Sequence, residues 1–247
     1  MNYGIQTHFE AVVALDVLRQ VRAFGFTHAR IDAQTCDHET MLRMVNDALV
    51  CGLTPLVIVS DLTRLAEIPA GTMVEWTNEP DGDIAPRRYR SLLDEACRVA
   101  MEHGLELWAP AISNLDEDSL KWLNDVRDAG GGWPDGLTGI SAHSYGPFPH
   151  RGFRTREGEV KWFIAACAGL PWIITEVGQA SCEGVSEQEQ ADFAKAEWQF
   201  WIAQGAQAVY WFQLNDGPHD VREHRYGIRR FNGTWKPAAE TVPRGEG

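Results

Sequence analysis

Eight short runs of β-branched and aromatic residues recur along the chain, and most are followed by an amphipathic segment of helical period. The runs cover 3–9, 28–33, 54–60, 73–79, 105–111, 138–144, 172–178 and 207–213. Helical patterns occupy 9–24, 38–52, 86–104, 116–130, 157–169 and 186–205; several open after Asp or Ser and close on Gly. This alternation implies a parallel sheet with helical crossovers. Eight strands in 247 residues match the size of a (β/α)8 TIM barrel, so the expected fold class is α/β, a single compact barrel over residues 1–240 with a frayed polar tail at 241–247. Only residues 61–71 separate the third and fourth strands, leaving room for a short helix at most, so a clipped connection is expected there. A doubly wound open sheet usually carries a Gly-rich phosphate turn after its first strand; here that strand runs into Thr7-His8-Phe9 with no such motif.

Composition excludes some partners. A formal net charge of −13 argues against nucleic acid or an anionic membrane surface, both of which need concentrated Lys and Arg. Arg222, Arg225, Arg229 and Arg230 form the nearest approach to a basic cluster, but acidic residues are interspersed and a solvated segment is expected. The five cysteines show no CxxC spacing, so neither a zinc site nor a disulfide framework is expected. No basic leader and no long apolar stretch is visible, which reads as cytoplasmic as the chain stands, or secreted if a signal peptide has been removed. Most of the ten tryptophans, Trp76 and Trp108 among them, are expected to pack in the core.

In a (β/α)8 barrel the chemistry sits at the C-terminal ends of the strands. The fourth run ends in Asn78-Glu79-Pro80 and the seventh carries Glu176 near its end. The sixth carries His143 and Tyr145, two apart and so on one face, the second carries Arg30 and the eighth Trp211. Two carboxylates across a barrel mouth suit glycoside hydrolysis, one as acid/base and one as nucleophile, at about 5–5.5 Å in retaining enzymes. Each residue has a plainer alternative. Glu176 can be a helix-start carboxylate, His143 a satisfied structural histidine and Tyr145 a packed tyrosine. Arg30 can be a structural partner of Glu75, which is expected to share a strand face with Glu79. His8 is expected to be a helix-start residue. The loop at 145–153 is expected to carry Phe148 and His150 towards a leaving-group subsite.

The segments VEWTNEP, HSY, ITEVG and YWF, in this order on strands four, six, seven and eight, resemble the clan A retaining glycoside hydrolases, as does the ending at 226–240. The resemblance implies Glu79 as acid/base and Glu176 as nucleophile. It also implies Asn78 on the sugar 2-hydroxyl or the nucleophile, Tyr145 bonded to the nucleophile, Arg30 supporting it and Trp211 as a sugar platform. No metal or organic cofactor is implied. The implied partner is a β-linked oligo- or polysaccharide; the resemblance leaves the oligomeric state open, and a monomer is the expectation. Two other classes stay open: a catalytically weak or inactive carbohydrate-binding protein on a hydrolase scaffold, and a metal-dependent barrel hydrolase, which His8, His28 and His143 do not suggest.

Overall fold

In a computed structural model, residues 2–7, 13–34, 36–146, 148–219 and 221–243 are described. The strands are β1 (Asn2–Gln6), β2 (His28–Asp32), β3 (Thr54–Val59), β4 (Met73–Trp76), β5 (Glu106–Trp108), β6 (Leu137–Ser144), β7 (Trp172–Val177) and β8 (Ala208–Trp211). The helices are α1 (Leu15–Phe24), α2 (His38–Val50), α3 (Leu62–Glu67), α4 (Pro86–His103), α5 (Glu117–Ala129), α6 (Arg156–Cys167) and α7 (Glu187–Gln204). The strands form a closed barrel in sequence order, β1 to β8, and every register described between named strands is parallel. The (β/α)8 expectation therefore holds, and the six-residue α3 is the clipped connection.

The chain divides into two compact units, Met1–Asp32 with Glu39–Pro55 and Thr175–Gly247, and Ala33–His38 with Leu56–Ile174. In the first, β1 pairs with both β2 and β8. Gly4 on β1 lies opposite Tyr210, whose ring stands 2.0 Å from where a Cβ would be, so no side chain fits there. Trp198 of α7 packs on Tyr3 and Phe26 at ring-centroid distances of 5.5 and 6.2 Å, and on Trp211 at 6.3 Å. Each such aromatic contributes roughly 1.5–3 kcal/mol by leaving water. A capping box starts α7: Ser186 accepts from the Glu189 backbone, and the Glu189 carboxylate accepts from Ser186. In the second unit, β3, β4, β5 and β6 pair in turn, with an irregular register between β5 and β6.

Two expectations change in the first unit. The arginine cluster is not a freely solvated segment. Arg229 donates to Asn215 and lies over Trp235, Arg230 pairs with Glu187, and Arg225 stands 3.8 Å from Asp216, which is itself bonded to buried Lys236 at 2.7 Å. Of the tail, Val242 is buried and the Thr241 hydroxyl accepts from the Trp198 indole; residues 244–247 lie outside those described.

Candidate active site

The backbone sets the position of Asn78-Glu79-Pro80. β4 stops at Trp76 because Thr77 adopts φ 65°, and Glu79 again turns left-handed at φ 49°. A β-branched residue in that region costs on the order of 1–3 kcal/mol, so its surroundings must hold it there. They do so through the Trp76 carbonyl, which accepts from the Thr77 hydroxyl at 2.6 Å and from the buried Tyr89 hydroxyl of α4 at 3.1 Å. The Glu79 backbone N–H then donates to the Ala111 carbonyl at 2.9 Å, and Pro80 opens a short 3-10 turn, where its missing N–H is no loss. Asp81 clamps the same turn. Its carboxylate accepts from the Ser113 backbone at 2.9 Å and from the Ser113 and Ser119 hydroxyls at 2.7 Å each. Because of this double kink, Glu75 and Glu79 are not on one regular strand, the condition on which they were expected to point the same way.

Glu79, its side chain 44% exposed, meets fully buried His143 of β6, whose Nδ1 lies 2.9 Å from Oε1. The His143 backbone N–H donates to the Ile112 carbonyl, so β6 is held beside the end of β5. A carboxyl and an imidazole nitrogen at that distance share one proton, whichever of the two carries it. Tyr145 follows two residues on, its ring edge-on to His143 at 6.4 Å. Asn78 is exposed and bridges to Ala111.

In the other unit, Glu176 lies in β7 and is buried. Arg30 of β2 is fully buried and donates to Glu176 Oε1 at 2.5 Å and to Gln6 Oε1 at 3.1 Å. Arg30 is thus a direct partner of Glu176. Two such charges share a buried site only because they neutralise one another.

Three expected residues stand elsewhere. Trp211 is wholly buried: its indole N–H donates to the Tyr226 carbonyl, and its ring packs on Trp198 and Phe193. A ring with no exposed face offers no platform to a sugar, so Trp211 is a packing residue. His150 is also buried and turns to Glu159 rather than outward, while Phe148 carries the Arg156 guanidinium 3.8 Å from its ring centre. His8 lies outside the described residues. Sequence reasoning missed Asp81 and Tyr89; the run of acids after Pro80 was the one visible signal for the first.

Solved structures with the same architecture include a GH5-4 broad specificity endoglucanase from Clostridium acetobutylicum, 16% identical over 98% of this chain and 96% of that one, with a TM-score of 0.74. An exo-β-1,4-mannosidase, Op5Man5, from Opitutaceae bacterium strain TAV5 is 15% identical with a TM-score of 0.72; the match covers 97% of this chain and 58% of that one, so this chain spans little more than half its length. A GH128 (subgroup II) endo-β-1,3-glucanase from Sorangium cellulosum is 18% identical over 99% of this chain and 100% of that one, with a TM-score of 0.66. The structural neighbours are clan A glycoside hydrolases, the group that the sequence motifs resemble; at these identities the likeness shows the fold. No protein-family model matches the sequence, and no curated protein does.

Proposed function

We propose that residues 1–240 form one catalytic barrel that hydrolyses a β-linked glycan with retention of anomeric configuration. The observation that carries this reading is the pair of carboxylates on β7 and just beyond β4 of a closed eight-stranded parallel barrel, each with a different basic partner. Arg30 neutralises an ionised Glu176, which is what a nucleophile needs. His143 can share a proton with half-exposed Glu79, which is what an acid/base needs.

In the first step Glu176 attacks the anomeric carbon while Glu79 gives its proton to the departing oxygen. In the second, Glu79 takes a proton from water, the water oxygen bonds the anomeric carbon, and Glu176 leaves. His143 orients Glu79, Asn78 binds the sugar beside the bond that breaks, and Tyr145 donates to Glu176. Trp211 supports the site only by packing behind β8.

The test is proton NMR of the first sugar released from β-glucan, mannan or xylan. The β-anomer appears first if the reading is right. The α-anomer appearing first, or activity abolished by a chelator, overturns the mechanism. Sugar binding without any turnover overturns the enzyme reading in favour of a binding protein.

A further inference from the structure

The segment between β6 and α6 holds a buried histidine that the reaction above does not use. Both His150 and Glu159 of α6 are buried, the latter completely. His150 Nδ1 lies 2.9 Å from Glu159 Oε2, and the His150 backbone N–H donates to the same oxygen at 2.8 Å. Its other ring nitrogen, Nε2, lies 2.5 Å from the Tyr145 carbonyl oxygen. A carbonyl oxygen only accepts, so Nε2 carries a proton. Nδ1 and the carboxyl then share a second one, and the pair is neutral as imidazolium and carboxylate. The Tyr145 backbone is gripped from the other side by Asn114, which accepts from the Tyr145 N–H at 3.3 Å and donates to its carbonyl at 3.4 Å.

We propose that His150 is a positioning residue, a doubly protonated clip that fixes Tyr145 and releases it when alkali removes the second ring proton. The proposal rests on the reading above only in assigning Tyr145 a task at the reacting carboxylate. Removing one ring proton leaves a single proton for two acceptors; kept on Nδ1 beside the Glu159 charge, it leaves the Nε2 lone pair facing the Tyr145 carbonyl lone pair, and the clip opens. The groups facing His150 come from several elements. They are Glu159 of α6, Asp116 at the start of α5, and the Phe148 ring at 4.9 Å with Arg156 stacked on it; neighbouring Arg151 is exposed and 3.9 Å from Asp118. Burial alone lowers the imidazole pKa, but the bonds to Glu159 and the Tyr145 carbonyl and the two acidic charges outweigh it, and the net shift is upward.

The experiment is a pH titration of the full chain by NMR, with 15N in the histidine rings and 13C in the tyrosine carbonyls. The expected result is that both His150 nitrogens stay protonated above the ordinary midpoint of about 6.5, and that the Tyr145 carbonyl resonance moves with the same midpoint. Glu159→Gln should lower that midpoint, and kcat should fall through it with KM little changed. A His150 midpoint at or below the ordinary value overturns the clip. A Tyr145 carbonyl that ignores the titration overturns the coupling. The resonances answer on the unmodified protein even if variants misfold. They also separate the proposals: intact coupling in a protein without glycosidase activity sinks the functional reading and not the clip.

Discussion

Replacing Arg30 with methionine tests the buried pair on which the nucleophile depends. The side chains of Arg30 and Glu176 are 0% and 10% exposed, and the charged atoms stand 2.5 Å apart. At an effective dielectric of about 20 the attraction at that distance is roughly 7 kcal/mol before desolvation, which offsets several kcal/mol of it. Removing only the cation keeps the desolvation cost of the anion, so Arg30→Met should lower stability by about 3–5 kcal/mol. For a chain of this length that is a fall in Tm of roughly 6–20 °C. Glu176→Gln removes the anion instead, and the double variant removes both charges. Urea unfolding of the three should give a coupling of at least about 1 kcal/mol, with the double variant more stable than the sum of the singles predicts. Additive effects, or an Arg30→Met variant within about 0.5 kcal/mol of the parent, would refute the claim that these two groups neutralise one another.

Glu79→Ala should lose natural glycans but keep the first step on substrates with good leaving groups, read as a burst of the leaving group; equal loss on both would remove the acid role. Trp211→Ala should cost roughly 3–5 kcal/mol in urea unfolding, and milder Trp211→Phe should leave KM unchanged; a raised KM in a stable Trp211→Phe would restore the platform. His28 is buried on β2 against Tyr210, and burial pushes its pKa down to about 4. The unfolded chain therefore binds more protons between that value and about 6.5, so stability rises with pH across this window. Acidifying from 6.5 to 4 should cost about 3 kcal/mol from this group alone. His28→Gln should flatten the pH dependence of the urea midpoint; an unchanged slope would contradict it.

The barrel was legible because its signals are local. β2, β3, β6 and β7 lie within a residue of the runs read as strands at each end, and α4 and α5 do so for the helices, since apolar period and helix-closing Gly are written in adjacent residues. The end of β4 was not legible, because nothing in Thr77 or Glu79 announces a left-handed backbone; Gly is the residue that usually does. Trp211 was misread for a different reason. A barrel strand is buried on both faces, so alternation cannot tell a side chain facing the site from one facing a helix. His150 depends on Glu159 of the following helix, and Asp81 on serines more than thirty residues away, contacts that only the folded chain creates.

The most direct test of the central claim is intact-mass labelling with 2-deoxy-2-fluoro glycosides of gluco, manno, galacto and xylo type, followed by peptide mapping. A single fluorosugar bonded to Glu176 is the predicted result. An adduct on any other carboxylate would contradict the assignment of the nucleophile. The absence of an adduct from every donor, with no sugar released from β-glucan, mannan or xylan, would contradict the hydrolase itself.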